Sequence, residues 1–321
     1  MKPEEVPARR KNATYVLAQW KLVYVSSPKA ACTATKWLLA DALGLDPWRF
    51  YNSLSTETTR ATTIHQNRWK WKEISPRLRD LTPEQLAEIT PENGWMVFSM
   101  TRHPAMRLWS AWQSKLLLRE PRFMAQFNGA DWLPRIPEST DDVIADWERF
   151  IAAIAADPKL SILRDNHFAP QSRLLNLPTT QYTRLYDTSE FSLMTKDLAA
   201  HLVANGFTGT LTPRRSNETP LPALERAFSP SVVEVIAKTF ARDYKLLGYD
   251  DPVPPKLRAG EYAADLIAAT GIIAERGDRI GDLSRRARRL AKRAGVPADS
   301  LSQPDPEAGP TLRSRVRRRL R

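Results

Sequence analysis

Apolar residues along this chain follow two spacings. Short unbroken apolar runs predict buried strands, and stripes at three- and four-residue intervals predict helices. Lys21–Val25 reads as a strand, and Thr33–Leu43 as a helix carrying Trp37, Leu38 and Leu43. WMVFSM, Trp95–Met100, is a second buried strand, and Pro104 then opens a helix to about Leu118. Gln181–Tyr186 is a third strand, followed by a helix over Phe191–Asn205 that stops near Gly206. Thr82-Pro83-Glu84-Gln85 begins another helix with a threonine cap and a proline in its first turn. Ser139 or Thr140 caps a helix that gathers Val143, Trp147, Phe150, Ile151 and Ile154 on one face. Ser231–Leu247 is the last helix of this pattern. Residues 1–14 read as polar and loose, 46–80 as loops and short helices, and the proline-rich stretch 119–139 as a long loop.

Strands that alternate with helices predict an α/β fold with a parallel sheet flanked by helices. The prolines of Asp251–Lys256 mark an edge, so the chain divides into a flexible 1–14, an α/β domain over 15–252 and a helical basic extension over 253–321. In the extension Leu266, Ile273 and Ile280 recur at seven residues, with Leu283 and Leu290 on a neighbouring row, a short imperfect heptad.

Charge sharpens that division. Of the formal +12, residues 253–321 contribute 16 Lys/Arg against 8 Asp/Glu, and residues 1–252 hold 32 against 28. The basic character therefore sits in the extension, which argues against specific nucleic-acid binding by the main domain. Residues 259–294 are instead expected to meet an anionic membrane surface or a second copy of the chain. The single cysteine, Cys32, excludes an internal disulfide framework and suits a reducing compartment. No leader-type or membrane-spanning apolar run appears, so the expectation is a soluble, cytoplasmic protein, peripheral to a membrane at most.

Two stretches carry chemistry. SSPKAACTATKW, Ser26–Trp37, lies between the first strand and its helix. Unpaired amides at a helix start attract anions, and Lys29, Thr33 and Thr35 add a charge and two hydroxyls. The loop lacks glycine and the G-x-x-x-x-G-K-[ST] pattern, which argues against an ordinary ATPase loop. A plain strand–helix turn with an exposed lysine fits it equally well. MTRHPAMRLWSAWQSK, Met100–Lys115, sets Arg102 at the end of a strand and puts Arg107 and Ser110 on one helix face. Two guanidiniums and a hydroxyl suit a phosphate monoester. Solvated helix-surface arginines are the alternative.

Together, P-K-x-A-C-T-x-x-K-W at 28–37 and R-x-P-x-x-R-x-x-S-x-x-x-x-K at 102–115 resemble the two nucleotide signatures of the carbohydrate sulfotransferase family. NHFAPQSRLL (166–175) resembles its His-Trp-x-Pro-Gln segment, with Phe168 for Trp. RLYDTSEFSLMTKDL (184–198) and FARDYKLLGYD (240–250) resemble its later segments in order. The resemblance spans roughly 20–250. It implies a P-loop-NTPase-like sheet and 3′-phosphoadenylyl sulfate (PAPS) as sulfuryl donor, without a metal. Lys29 and Thr33 would hold the 5′-phosphosulfate, with Pro28, Ala31, Cys32 and Lys36 around it. Arg102 and Ser110 would hold the 3′-phosphate, beside Arg107. Arg215, in Arg214-Arg215-Ser216-Asn217, would close over the nucleotide.

The resemblance further implies an in-line displacement helped by Lys29 and, second to it, Lys36. His65 is the first candidate for the base, by its position between the two signatures, and His167 is the second. His103 and His201 read as structural, and Cys32 as packing. Trp69 and Trp71, with Arg68, Lys70 and Lys72, are candidates for contact with an anionic sugar, a packed amphipathic stretch being the alternative. No membrane anchor of the kind the family's familiar members carry appears, so a bacterial glycan, a glycolipid or a small glycoside is the expected acceptor. Two other readings compete: a nucleotide kinase with a degenerate P-loop, and a non-catalytic scaffold that works through the basic tail.

Overall fold

The computed structural model describes residues 1–6, 14–45, 63–65, 71, 74–213 and 218–295. Its sheet has four strands in the order β1 (Thr14–Leu17), β2 (Leu22–Val25), β3 (Met96–Thr101) and β4 (Arg184–Asp187). β2, β3 and β4 are parallel, and β1 is antiparallel to β2. The expected all-parallel sheet is therefore mixed, with one added edge strand. β1 escapes a sequence reading because its hairpin lacks a glycine turn. The chain reverses instead through a short 3-10 segment and Lys21 at φ +46°.

Ten helices accompany the sheet among the described residues. They are α1 (Cys32–Ala42), α2 (Pro83–Ala87), α3 (Pro104–Trp112), α4 (Pro121–Gln126), α5 (Thr140–Ala156), α6 (Gln171–Leu174), α7 (Phe191–Ala204), α8 (Pro230–Thr239), α9 (Ala241–Leu247) and α10 (Ala264–Arg293). Ser139 is the N-cap of α5, its hydroxyl accepting from the Asp142 amide. α3 runs on through a π-helical stretch, Gln113–Leu117. There the buried Gln113 side chain exchanges two hydrogen bonds with the main chain of Leu221, at 2.9 and 3.0 Å.

Two elements differ from expectation. The single helix read over Ser231–Leu247 is broken at Phe240, which turns into the core at 2% exposure. The stretch read as one long loop contains α4, which buries Phe123. The N-terminal residues expected to be loose also pack where they are described. Val6 is 6% exposed, and the Met1 amine donates to the Ile89 carbonyl.

Strand residues alternate between the two faces of the sheet. Tyr24, Phe98 and Tyr186 pack on Trp37 and Leu38 of α1 and on Met194 and Leu198 of α7. Val23, Val25 and Val97 pack the other way, on Leu78, Leu86 and Leu175. A third cluster joins α3, α5 and α8 around Trp109, Trp112 and Trp147, whose rings lie 5.1–5.3 Å apart. The chain past 252 stays on this body at first. The Arg258 main chain bonds Ala223 and Glu225, and Tyr262 and Ile267 join the third cluster. Because β2, β3 and β4 are parallel, their C-terminal ends lie at one edge of the sheet. The loops that follow them open there, where α/β sheets bind ligands.

Candidate active site

The loop after β2 climbs to α1 through two left-handed residues, Lys29 at φ +69° and Ala31 at φ +50°. No glycine relieves them, and such strain collects at ligand sites. Ala31 is also the N-cap of α1, and its methyl takes up no first-turn amide. The loop therefore curls its main chain as a glycine-rich loop does and leaves the helix start uncapped by a side chain, the arrangement an anion needs. Ala31→Gly should remove a left-handed cost of about 1–2 kcal/mol against a chain-entropy cost of about 0.5–1 kcal/mol. Thermal unfolding should show a net gain of roughly 0.5–1 kcal/mol.

Arg102 follows β3 at the same edge. Its guanidinium reaches the Lys29 carbonyl at 3.5 Å, and the Gln171 side chain holds its main chain at both ends, 3.0 and 2.7 Å. Asp243 sits underneath, fully buried, and accepts from the amides of Gln171 and Ser172 at 2.6 and 2.7 Å. Tyr249 donates to Asp187 at 2.6 Å at the end of β4. Residues far apart in sequence thus brace one arginine. Ser110, 4% exposed on α3, makes no hydrogen bond through its hydroxyl among the described residues.

Arg107 is oriented differently from the expectation. It is 2% exposed and gives all three of its bonds to main-chain carbonyls: Pro28 at 2.9 Å, Ala169 at 2.8 Å and Asn166 at 2.9 Å. It ties the loop after β2 to the segment 166–169. Burial pushes its pKa down to about 10.

That segment carries His167. Its Nδ1 lies 2.7 Å from an Asp165 carboxylate oxygen, and its amide donates to the same oxygen at 2.9 Å. Burial works against the Asp165 charge, but the bonds from His167 and the nearby Arg122 hold its pKa well below the usual carboxylate range. Asp165 is therefore ionised and fixes the His167 proton on Nδ1. Nε2 keeps its lone pair and makes no hydrogen bond among the described residues. Burial and the charge of Lys115, only partly offset by Asp165, lower the His167 pKa to about 3.

His65 is held at both nitrogens. Nδ1 faces the Lys36 ammonium at 2.9 Å, and Nε2 faces the Thr33 hydroxyl at 2.7 Å. An ammonium only donates. Nδ1 must then accept, and Nε2 carries the proton and donates to the Thr33 hydroxyl. Burial first, then Lys36 and His167, keeps the ring neutral, well below its ordinary pKa.

A family model described as "Sulfotransferase family" matches residues 13–250. The chain belongs to the sulfotransferase family. No curated protein matches it, and no solved structure does. Membership makes it a transferase of sulfuryl groups, and the matched stretch contains every described element of the site.

In this sulfotransferase the cations of the site crowd one another. Burial, then Lys115 and Arg102, lower the Lys29 pKa to about 7. Lys115 is ion-paired with Glu120 and lies 5.8 Å from the centre of the Phe123 ring, which also meets His167 edge-on. Pro28, Lys29, Ala31, Cys32, Thr33, Lys36, His65, Arg102, Arg107 and His167 are thus gathered along the strand ends, with Ser110 on α3. Arg215 lies outside the described residues, as do Arg68, Trp69, Lys70 and Lys72. Trp71 is core rather than a sugar platform: it is 6% exposed, and its Nε1 donates to Ile64 at 3.1 Å. His103 and His201 bond the main chain of Asp251 and Trp20. Asp165 escapes a sequence reading, although an Asp two residues before a His is a legible signal. Lys115 closes the second signature but carries no sign of facing His167.

Proposed function

We propose that this sulfotransferase moves the sulfuryl group of PAPS to a hydroxyl of a carbohydrate or glycolipid, with His167 as the base. The observation that carries this reading is the pairing of an uncapped, cationic loop at Lys29 with a second cation, Arg102, at the neighbouring strand end. A donor with phosphate groups at both ends of its ribose needs two such sites, and a kinase needs one. The Ser110 hydroxyl, without a hydrogen bond among the described residues, fits the second site.

The chain's residues divide the work. Lys29, the α1 amides and Thr33 bind the phosphosulfate. His65 holds the Thr33 side chain in place, with Lys36 behind. Arg102 and Ser110 hold the 3′-phosphate. His167 Nε2 takes the acceptor's proton as the acceptor oxygen bonds to sulfur. The sulfur–oxygen bond to the 5′-phosphate breaks, and its electron pair leaves with 3′,5′-ADP. Lys29 stabilises that charge. Negative charge on the donor offsets Lys29 and Lys115, which raises the basicity of His167 when the donor is in place.

Calorimetry with 3′,5′-ADP tests the reading, with ATP and AMP as controls. Selective binding of 3′,5′-ADP, weakened at least about tenfold in Arg102→Ala, is expected. Preference for ATP would return the site to the kinase alternative. The binding should also depend on pH. The anion needs charged Lys29, which is half neutral in the free protein near pH 7. Above that pH, binding must take up a proton, so affinity should fall by up to about tenfold per pH unit between roughly 7.5 and 9. Lys29→Ala should bind weakly and lose this dependence.

A further inference from the structure

α10 has two apolar faces of different build. The inner one is small: Gly271, Ala274, Gly277, Gly281 and Ser284 are buried. Small side chains let the helix lie directly on main chain, and a Cβ at Gly277 would sit 2.7 Å from the carbonyl oxygens of Leu118 and Arg119. The outer face is large. Ile272, Ile273, Ile280, Leu283 and Leu290 are between 41% and 64% exposed. At helical spacing they fall within an arc of about 100° and run for about 27 Å. Among the described residues nine large apolar side chains are exposed, and five belong to this one stripe.

The charge around the stripe is mostly positive. α10 holds eight Lys/Arg against four Asp/Glu. Two of those acids are already paired, Asp278 with Arg119 and Asp282 with Arg285. Arg279, Arg286 and Arg293 line one border of the stripe, and residues 285–290 are all exposed as the helix runs past the body. The sequence beyond repeats the chemistry, with Leu312, Val316 and Leu320 at four-residue spacing among six arginines.

These charges decide what covers the stripe. Two copies paired along it would bury Arg276 in the seam. In an antiparallel pair centred on Arg286, Arg279 would face Arg293 and Arg286 its own copy. In a parallel pair Arg279 and Arg286 would face the uncharged Ser284 and Ala291, and along the row shared in an antiparallel pair, residues 265, 272, 279, 286 and 293, Asp265 is the single acid. An anionic lipid surface suits both features at once: the aliphatic side chains enter the interfacial region, and the guanidiniums meet lipid phosphates. We propose that α10 seats this protein on an anionic bilayer surface through Ile272, Ile273, Ile280, Leu283 and Leu290, with Arg279, Arg286 and Arg293 on the headgroups. The proposal stands apart from the donor chemistry.

Co-sedimentation of the full chain with vesicles tests it. Binding is expected to phosphatidylcholine vesicles containing about a third phosphatidylglycerol, and to be roughly tenfold or more weaker on phosphatidylcholine alone or at high salt. The triple variants Ile280→Glu/Leu283→Glu/Leu290→Glu and Arg279→Gln/Arg286→Gln/Arg293→Gln should each lose about tenfold or more. An unchanged melting temperature checks that both fold. Absence of binding, or equal binding to neutral vesicles, overturns the proposal. Undiminished binding by the glutamate variant also overturns it and assigns the attraction to the terminal arginines. A dimer in sedimentation velocity that the glutamate variant dissolves gives the stripe to a second copy instead.

Discussion

Replacing His167 by alanine is expected to reduce turnover by about a hundred- to ten-thousandfold, the range a general base supplies. Binding of 3′,5′-ADP should survive, because the role proposed for His167 is toward the acceptor and not the donor. Asp165→Asn should share much of the loss, since an amide no longer fixes the imidazole proton on Nδ1. His65→Ala should behave differently. It removes the group that holds Thr33, so its main effect should be donor affinity, weaker by about tenfold for one hydrogen bond at a charged ligand. Steady-state kinetics at saturating donor, beside calorimetry with 3′,5′-ADP, separates the two. The opposite pattern, turnover abolished in His65→Ala and barely changed in His167→Ala, would return the base to His65.

Arg107→Met should both destabilise the protein and disable it. Arg107 satisfies three main-chain carbonyls, and each buried group left unpaired costs roughly 1–3 kcal/mol. With partial relaxation the expected loss is about 3–5 kcal/mol. At roughly 2–4 °C per kcal/mol, the melting temperature should fall by about 10 °C. Because Arg107 joins the Lys29 loop to the His167 segment, the remaining folded protein should lose both donor affinity and turnover. Arg107→Lys should rescue little: one ammonium cannot reach three carbonyls in a fixed fork. Thermal unfolding beside 3′,5′-ADP binding checks this. Unchanged stability with lost binding would mean that Arg107 contacts the donor itself.

Local patterns carried much of this protein. Apolar runs located β2 and β3 because a buried strand must be apolar whatever it pairs with. Pro83, Pro104 and Ser139 located helix starts because capping is chemistry between neighbours. Lys29, Arg102 and Ser110 stood out for the same reason, as their arrangement is set within a strand–loop–helix unit. Hydrogen-bond partners from distant segments were not legible. Two histidines look alike in sequence, and only tertiary packing shows that Lys36 and Thr33 occupy both nitrogens of His65 while Asp165 takes one of His167 and Nε2 has no hydrogen bond among the described residues. Arg107 shares a helix face with Ser110, yet the carbonyls that claim it come from residues 28, 166 and 169. In α10, spacing marked the row of large aliphatics. Which side of the helix faced the body depended on the main chain at Leu118–Arg119, where only glycine permits the approach and the aliphatic row is left outside.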